Sequence, residues 1–137
     1  MAVILVVGPD AALLEGVSQT LVGAGHEVLV ARDVPEALEP LGSIRPLVAV
    51  VDRDELVKSG VAFRAALGPG AALIAFNSDD TDGERLPFAL KRATLAELQL
   101  PLERQRLLAL VRNVEARAHA AGRDEEEATV IEAERAE

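Results

Sequence analysis

Three carboxylates, Asp10, Asp52 and Asp54, follow short apolar runs, where an alternating strand–helix chain gathers its chemistry. Acids so placed could hold a hard cation or accept a transferred group, provided that more than one of them faces the same space. The stretch VVGPDAALL (6–14) works against that. Its hinge is Gly8-Pro9-Asp10, so one residue without a side chain and one without an amide hydrogen stand at the tip. A dinucleotide site needs a glycine-rich turn that lets a pyrophosphate approach a helix N-terminus, and one glycine followed by proline and an acid does not provide it. No Gly-Lys-Ser/Thr exists for a P-loop. Ser18, Ser43, Ser59 and Ser78 lack nucleophile-elbow surroundings, and His26 and His119 are expected as ordinary edge or surface residues. Asp79, Asp80 and Asp82 lack the EF-hand ligand pattern and are expected in a solvated loop. No acid–base pair or nucleophile set is evident, so an enzyme is not expected.

The elements that must position these acids are legible in the apolar pattern. AVILVV (2–7) is a continuous β-branched run, as a strand buried on both faces requires. Asp10 predicts an N-cap for a helix through Val22, with Leu13, Leu14, Val17 and Leu21 at helical spacing. HEVLVA (26–31) is a second strand, and Asp33 caps a short helix over 34–41. LVAVVD (47–52) is a third strand ending on Asp52. A helix over Gly60–Leu67, a strand AALIAFN (71–77), a helix over 84–93 and a weak strand LAELQL (95–100) come next. Glu103–Ala118 closes the series as a strong helix. Five strands alternating with five helices predict a single α/β domain over 1–117, with a parallel sheet covered by helices on both faces.

Composition narrows the function. The aromatic share is 2% and cysteine is absent, which removes base-stacking platforms, disulfides and thiolate metal sites and fits a reducing cytoplasm. No apolar run reaches the roughly 20 residues of a membrane span. The net charge is −9. Residues 118–137 contribute −5 of it, seven acids against Arg123 and Arg135, in an Ala/Glu-rich tail that either extends the last helix or stays disordered. An acidic body with an acidic tail repels phosphate backbones, so no direct nucleic-acid partner is expected.

Over residues 2–115 the chain resembles the receiver (CheY-like) domain of bacterial two-component response regulators. The resemblance rests on RPLVAVVD (45–52), KSGVAFRAAL (58–67), GHEVLVARDVPEAL (25–38) and LQLPLERQRLLALVRNV (98–114), in register with one another. It implies a flavodoxin-like (βα)5 fold, a doubly wound five-stranded parallel sheet, and a site of known parts. The two metal-holding acids of the family correspond to Gly8 and Pro9, and Asp10 to the helix-capping position after them. The phosphoacceptor corresponds to Asp52. The hydroxyl residue after strand four corresponds to Asn77, the aromatic switch to Glu97, and the phosphate-pairing lysine to Leu100, before Pro101. With that set stripped, Asp52 is expected to be vestigial, a lone carboxylate hydrogen-bonded to loop amides and opposed by Asp54 and Glu55, with no Mg²⁺ bound and no other cofactor. The resemblance then implies a pseudo-receiver, a phosphorylation-independent protein-interaction module in cytoplasmic signalling. Its partner, a kinase, an effector domain or a second copy, would use the face of helix four, strand five and helix five, through Lys91, Arg92, Glu97 and Arg104. Two other readings stay open. One is a working receiver phosphorylated on Asp52 by a kinase that supplies the missing stabilisation; the other is a small-ligand flavodoxin-like module.

Overall fold

The computed structural model describes residues 2–68, 70–77 and 88–135, with side chains in the last helix described as far as Ala120. Its strands are β1 (Val3–Val7), β2 (Glu27–Ala31), β3 (Val48–Asp52), β4 (Ala72–Phe76) and β5 (Thr94–Leu98). The helices are α1 (Ala11–Gly23), α2 (Val34–Leu38), α3 (Arg53–Leu67), α4 (Phe88–Ala93) and α5 (Arg104–Arg135), with a 3₁₀ turn at Pro40–Gly42 after α2. All the strand pairings are parallel, in the order β2-β1-β3-β4-β5. The flavodoxin-like doubly wound sheet expected from the sequence is the fold observed.

The continuous apolar strands divide their side chains between the two faces. Ile4 and Val6 of β1 and Val48 and Val50 of β3 join Leu14, Val17 and Leu21 of α1 and Leu107 and Val111 of α5. Leu5, Val7, Ala49 and Val51 point the other way, onto Val34, Ala37, Leu56 and Phe63 of α2 and α3. This two-sided burial is why the strands read as unbroken hydrophobic runs. It also leaves polar side chains of these central strands room only at the strand ends.

Two features depart from the sequence reading. Helix α3 begins at Arg53, seven residues before the expected start at Gly60, because Asp52 caps it directly from the strand. Its expected opening is instead an internal kink, where Ser59 has φ −141° and ψ 18°. Next to it, a Cβ on Gly60 would meet Leu90 Cδ1 of α4 at 2.5 Å, so a glycine permits the close crossing of α3 and α4. His26 is not an edge residue. Its side chain is 8% exposed, its Nδ1 accepts the Ala2 N–H (3.2 Å), and Glu115 Oε2 of α5 lies 3.8 Å away. Helix α5 passes unbroken through residue 117 and is helical to Arg135, the helix extension being one of the two forms considered for the tail. The loop aspartates Asp79, Asp80 and Asp82, and the start of the helix expected over 84–93, lie outside the described residues.

Candidate functional site

The parallel register brings the ends of β1, β3 and β4 side by side. Asp52 pairs with Phe76, and Val51 with Val7, so Gly8, Asp52 and Asn77 fall at one edge. Leu100 closes the group from beyond β5, because the Leu100 N–H donates to Asn77 Oδ1 (3.1 Å). The residues matched to the resemblance are therefore together in space.

Their environment is largely apolar. Gly8 is buried, and a Cβ built on it would lie 3.2 Å from Phe76 Cζ, 3.4 Å from Asp52 Cβ and 3.5 Å from Leu14 Cδ2. The space that an acid side chain at this position would need is taken by the Phe76 ring. Phe76, Leu14, Leu98 and Leu100 belong to one buried cluster, with Leu100 6% exposed. Pro9 is exposed and offers no ligand. Asp10 is also exposed and accepts the Leu13 N–H on Oδ1 (3.1 Å) as the N-cap of α1. Beside Asp52, then, Gly8 and Pro9 supply no side-chain oxygen, and the Asp10 carboxylate is engaged as a helix cap. Among the described residues, no group of three or more His, Asp or Glu side chains could hold a metal ion.

Asp52 itself is half-buried. Its Oδ1 accepts the Asp54 N–H (2.9 Å), so the carboxylate caps α3, and Asp54 and Glu55 occupy the first turn, where the helix dipole favours them. Burial raises its pKa above the ordinary aspartate range. The Asp54 N–H pulls the other way, the Asp54 and Glu55 carboxylates add to the rise, and Lys58 offsets part of it. Glu55 does more than repel. It is buried and accepts the Val34 N–H (3.1 Å), fastening the start of α2 to α3. That contact spans 21 residues, and no local signal in the sequence announces it.

Asn77 is the one described non-glycine residue with positive φ, 57°. A β-branched hydroxyl residue is poorly suited to that backbone, whereas asparagine tolerates it. Its N–H donates to Leu98 O (2.9 Å), so backbone and side chain together tie the end of β4 to the turn after β5. Glu97 is exposed on β5 and faces Arg53 Nε at 3.9 Å, with the Arg53 side chain 14% exposed. A charge pair thus occupies the position of the expected aromatic switch. Lys91, Arg92 and Arg104 are all exposed, the first two on α4 and the third at the start of α5.

Neither a family model nor a curated protein matches this chain. Solved structures do. It is similar to the CheY-like response regulator receiver domain protein from Methanospirillum hungatei JF-1, with TM-score 0.64 and 22% identity over 88% of this chain and 98% of that one. Chemotaxis response regulator CheY4 of Vibrio cholerae matches with TM-score 0.63 and 24% identity over 83% of this chain and 98% of that one. The N-terminal domain of a response regulator/sensory box/GGDEF 3-domain protein from Carboxydothermus hydrogenoformans matches with TM-score 0.70 and 15% identity, over 87% and 98%. The architecture of this chain is therefore that of the CheY-like receiver domains.

Proposed function

We propose that this chain is a pseudo-receiver, a cytoplasmic signalling module that binds a protein partner without being phosphorylated and without Mg²⁺, and that it is not an enzyme. The observation that carries the reading is the filled space at Gly8. With the Phe76 ring 3.2 Å from where a Cβ would stand, the edge of the sheet presents an apolar plug beneath Asp52 in place of a second carboxylate. A phosphoryl group on Asp52 would find no metal to neutralise it and no lysine at Leu100. The Asp54 and Glu55 carboxylates, which already raise the Asp52 pKa, would oppose its charge. The partner surface on this reading is the face of α4, β5 and the start of α5, with Lys91, Arg92, Glu97 and Arg104 as contacts. The Glu97–Arg53 pair supports a single fixed form of that face, because a charge pair stands where a mobile aromatic side chain would signal. Among the described residues no helix is long and apolar enough to cross a membrane.

The test is to add beryllofluoride and Mg²⁺ to ¹⁵N-labelled protein, and acetyl phosphate in parallel. The expected result is an unchanged spectrum and an unchanged mass. Shifts centred on Asp52, or a gain of one phosphoryl mass, would refute the reading.

One observation favours the alternative of a working receiver. Asp52 stands at the carboxyl end of β3, half-exposed, with a raised pKa that fits a carboxylate reachable by a donor. On that reading Asp52→Asn abolishes the signalling output; on the pseudo-receiver reading it leaves output unchanged.

A further inference from the structure

The edge of the sheet opposite Asp52 has a hollow of its own. About 300 Å³ of open space lies at the amino ends of β3, β4 and β5, against the stretch of α5 that holds Val114, Arg117 and Ala118. Leu47, Ala72 and Val114 line it from the core side, and all three pack on the buried cluster behind them. Leu95 lines it from β5, where the strand carries a bulge. Leu73 pairs with Thr94 and Ile74 with Ala96, so Leu95 is the extra residue between them. Bulges of this kind re-aim a side chain at the edge of a sheet. Here the result is a leucine that is 45% exposed and borders the hollow. Asp52 stands at the other end of β3, about 17 Å away along the strand.

The polar groups of the hollow are few, and they decide what it can hold. Arg117 is the one charged side chain among the described residues that line it. It is exposed and makes no ion pair with another described residue. The strand backbone beside it is already hydrogen-bonded: the Ala72 N–H donates to Leu47 O (2.9 Å), and the Leu47 N–H to Val3 O (2.8 Å). No carboxylate and no aromatic ring is among the described lining residues. A sugar or a nucleotide needs several placed polar partners, and a flat ring needs a face to stack on, so this lining suits neither. A cation would be repelled by the guanidinium. An apolar body with one anionic end fits. A carboxylate matches a single guanidinium through two parallel N–H···O bonds, whereas a phosphate dianion would keep a charge uncompensated. The volume is at the small end of the range that ligand sites occupy, which calls for a short chain.

The geometry points to a second site in this chain: the hollow between β5 and α5 binds a short aliphatic carboxylate, with its chain over Leu47, Leu95 and Val114 and its head group on Arg117. Binding covers the leucine that the bulge exposes and gives the guanidinium an ionic partner. Because β5 and α5 both border the hollow, the ligand braces strand against helix at the end of the sheet away from Asp52. The inference is independent of the pseudo-receiver reading. It uses neither Asp52 nor the contacts assigned to a protein partner, and it holds whether or not Asp52 accepts a phosphoryl group.

Titration of the ¹⁵N-labelled full chain with hexanoate tests this, with hexan-1-ol as the uncharged control. Hexanoate should shift the amides of Leu47, Ala71, Leu95 and Val114 saturably and leave those around Asp52 in place. Hexan-1-ol should act on the same residues but bind about tenfold more weakly, the worth of one charge-assisted hydrogen-bonded pair. Affinity should rise about threefold per methylene from butanoate to octanoate, as each is taken out of water. Added salt should weaken the acid and not the alcohol. Arg117→Ala should bring hexanoate down to the level of hexan-1-ol, and Arg117→Lys should restore part of the difference. Leu95→Asp, which sets a carboxylate where the chain would lie, should weaken hexanoate by at least about tenfold. Circular dichroism melts of each variant separate lost folding from lost binding. The absence of a saturable shift, shifts centred on another part of the sheet, equal affinity for acid and alcohol, or wild-type hexanoate binding by Arg117→Ala would each overturn the inference.

Discussion

Asp10, at the end of the loop after β1, and Asp52, at the end of β3, each cap the following helix, yet the two residues live differently. Asp10 is exposed and accepts the Leu13 N–H at 3.1 Å; Asp52 is half-buried and accepts the Asp54 N–H at 2.9 Å. Asp10 stands three residues past the end of its strand, beyond Gly8 and Pro9, and so clears the apolar cluster. Asp52 is the last residue of its strand, paired in register with Phe76, so it carries its charge on the rim of that cluster. Capping is thus the shared structural duty, and depth is what separates the two carboxylates. On the pseudo-receiver reading proposed above, the acid at the acceptor position is kept for its cap alone.

The largest effect should come from forcing the two loops to be alike. Gly8→Asp places a second carboxylate against Phe76 and Asp52, adding both overpacking and an unpaired charge in an apolar pocket. A loss of about 3 kcal/mol or more is expected in urea denaturation. Gly8→Ala isolates the steric part and should cost less. If Phe76→Ala in the Gly8→Asp background recovers no stability beyond its own effect, the ring is not what fills the site.

Next in size is the tie that closes the edge. Asn77→Ala removes the acceptor for the Leu100 N–H and puts a Cβ-bearing residue without a local hydrogen bond at φ 57°, for a cost of about 1–2 kcal/mol. Asn77→Gly keeps the backbone free and should cost less than Asn77→Ala. Asn77→Thr, which restores the hydroxyl implied by the resemblance, should be at least as damaging as Asn77→Ala. Equal losses for glycine and threonine would show that backbone conformation is not at issue.

These contrasts also mark how far the sequence could be read. The sheet was legible because its strands are buried on both faces, which leaves runs such as AVILVV and LVAVVD without polar interruption. That Gly8 and Pro9 offer no side-chain ligand was legible from their types alone, whatever surrounds them. The start of α3 was not, since Arg53-Asp54-Glu55 carries no glycine or proline mark and Gly60 imitates a helix opening. The cap from Asp52 decides it, and that is a matter of where β3 ends. The Phe76 plug was hidden too: in AALIAFN it is one more apolar strand residue, and only the register opposite Asp52 aims it at Gly8. His26 and Glu55 form contacts across 24 and 21 residues, beyond any local pattern.

A smaller effect compares the caps directly. Asp10→Ala loses an N-cap with nothing in return, for about 1 kcal/mol. Asp52→Ala loses its cap but also removes a partly desolvated charge, so its cost should be the lesser of the two in parallel thermal melts. A greater cost at Asp52 would mean that its carboxylate is held by more than the Asp54 N–H.

The smallest effect is the most specific to Asp52, and it depends on pH. A carboxyl whose pKa is raised by folding binds its proton more tightly in the native state than in the unfolded chain. Its stabilising contribution is therefore complete below the unfolded value of about 3.9 and is lost as pH rises through the folded value. Asp52→Asn keeps an oxygen for the Asp54 N–H and carries no charge at any pH. Wild type and variant should melt alike at the acid end, where Asp52 is protonated, and the variant should gain steadily as pH approaches neutrality. Solvent on the open side of the group screens the effect, so the gain stays within about 0.5 kcal/mol, or one to two degrees. A variant that loses stability towards neutral pH would mean that the ionised carboxylate is favoured by the fold, and the apolar plug beneath Asp52 would then not be what sets its charge.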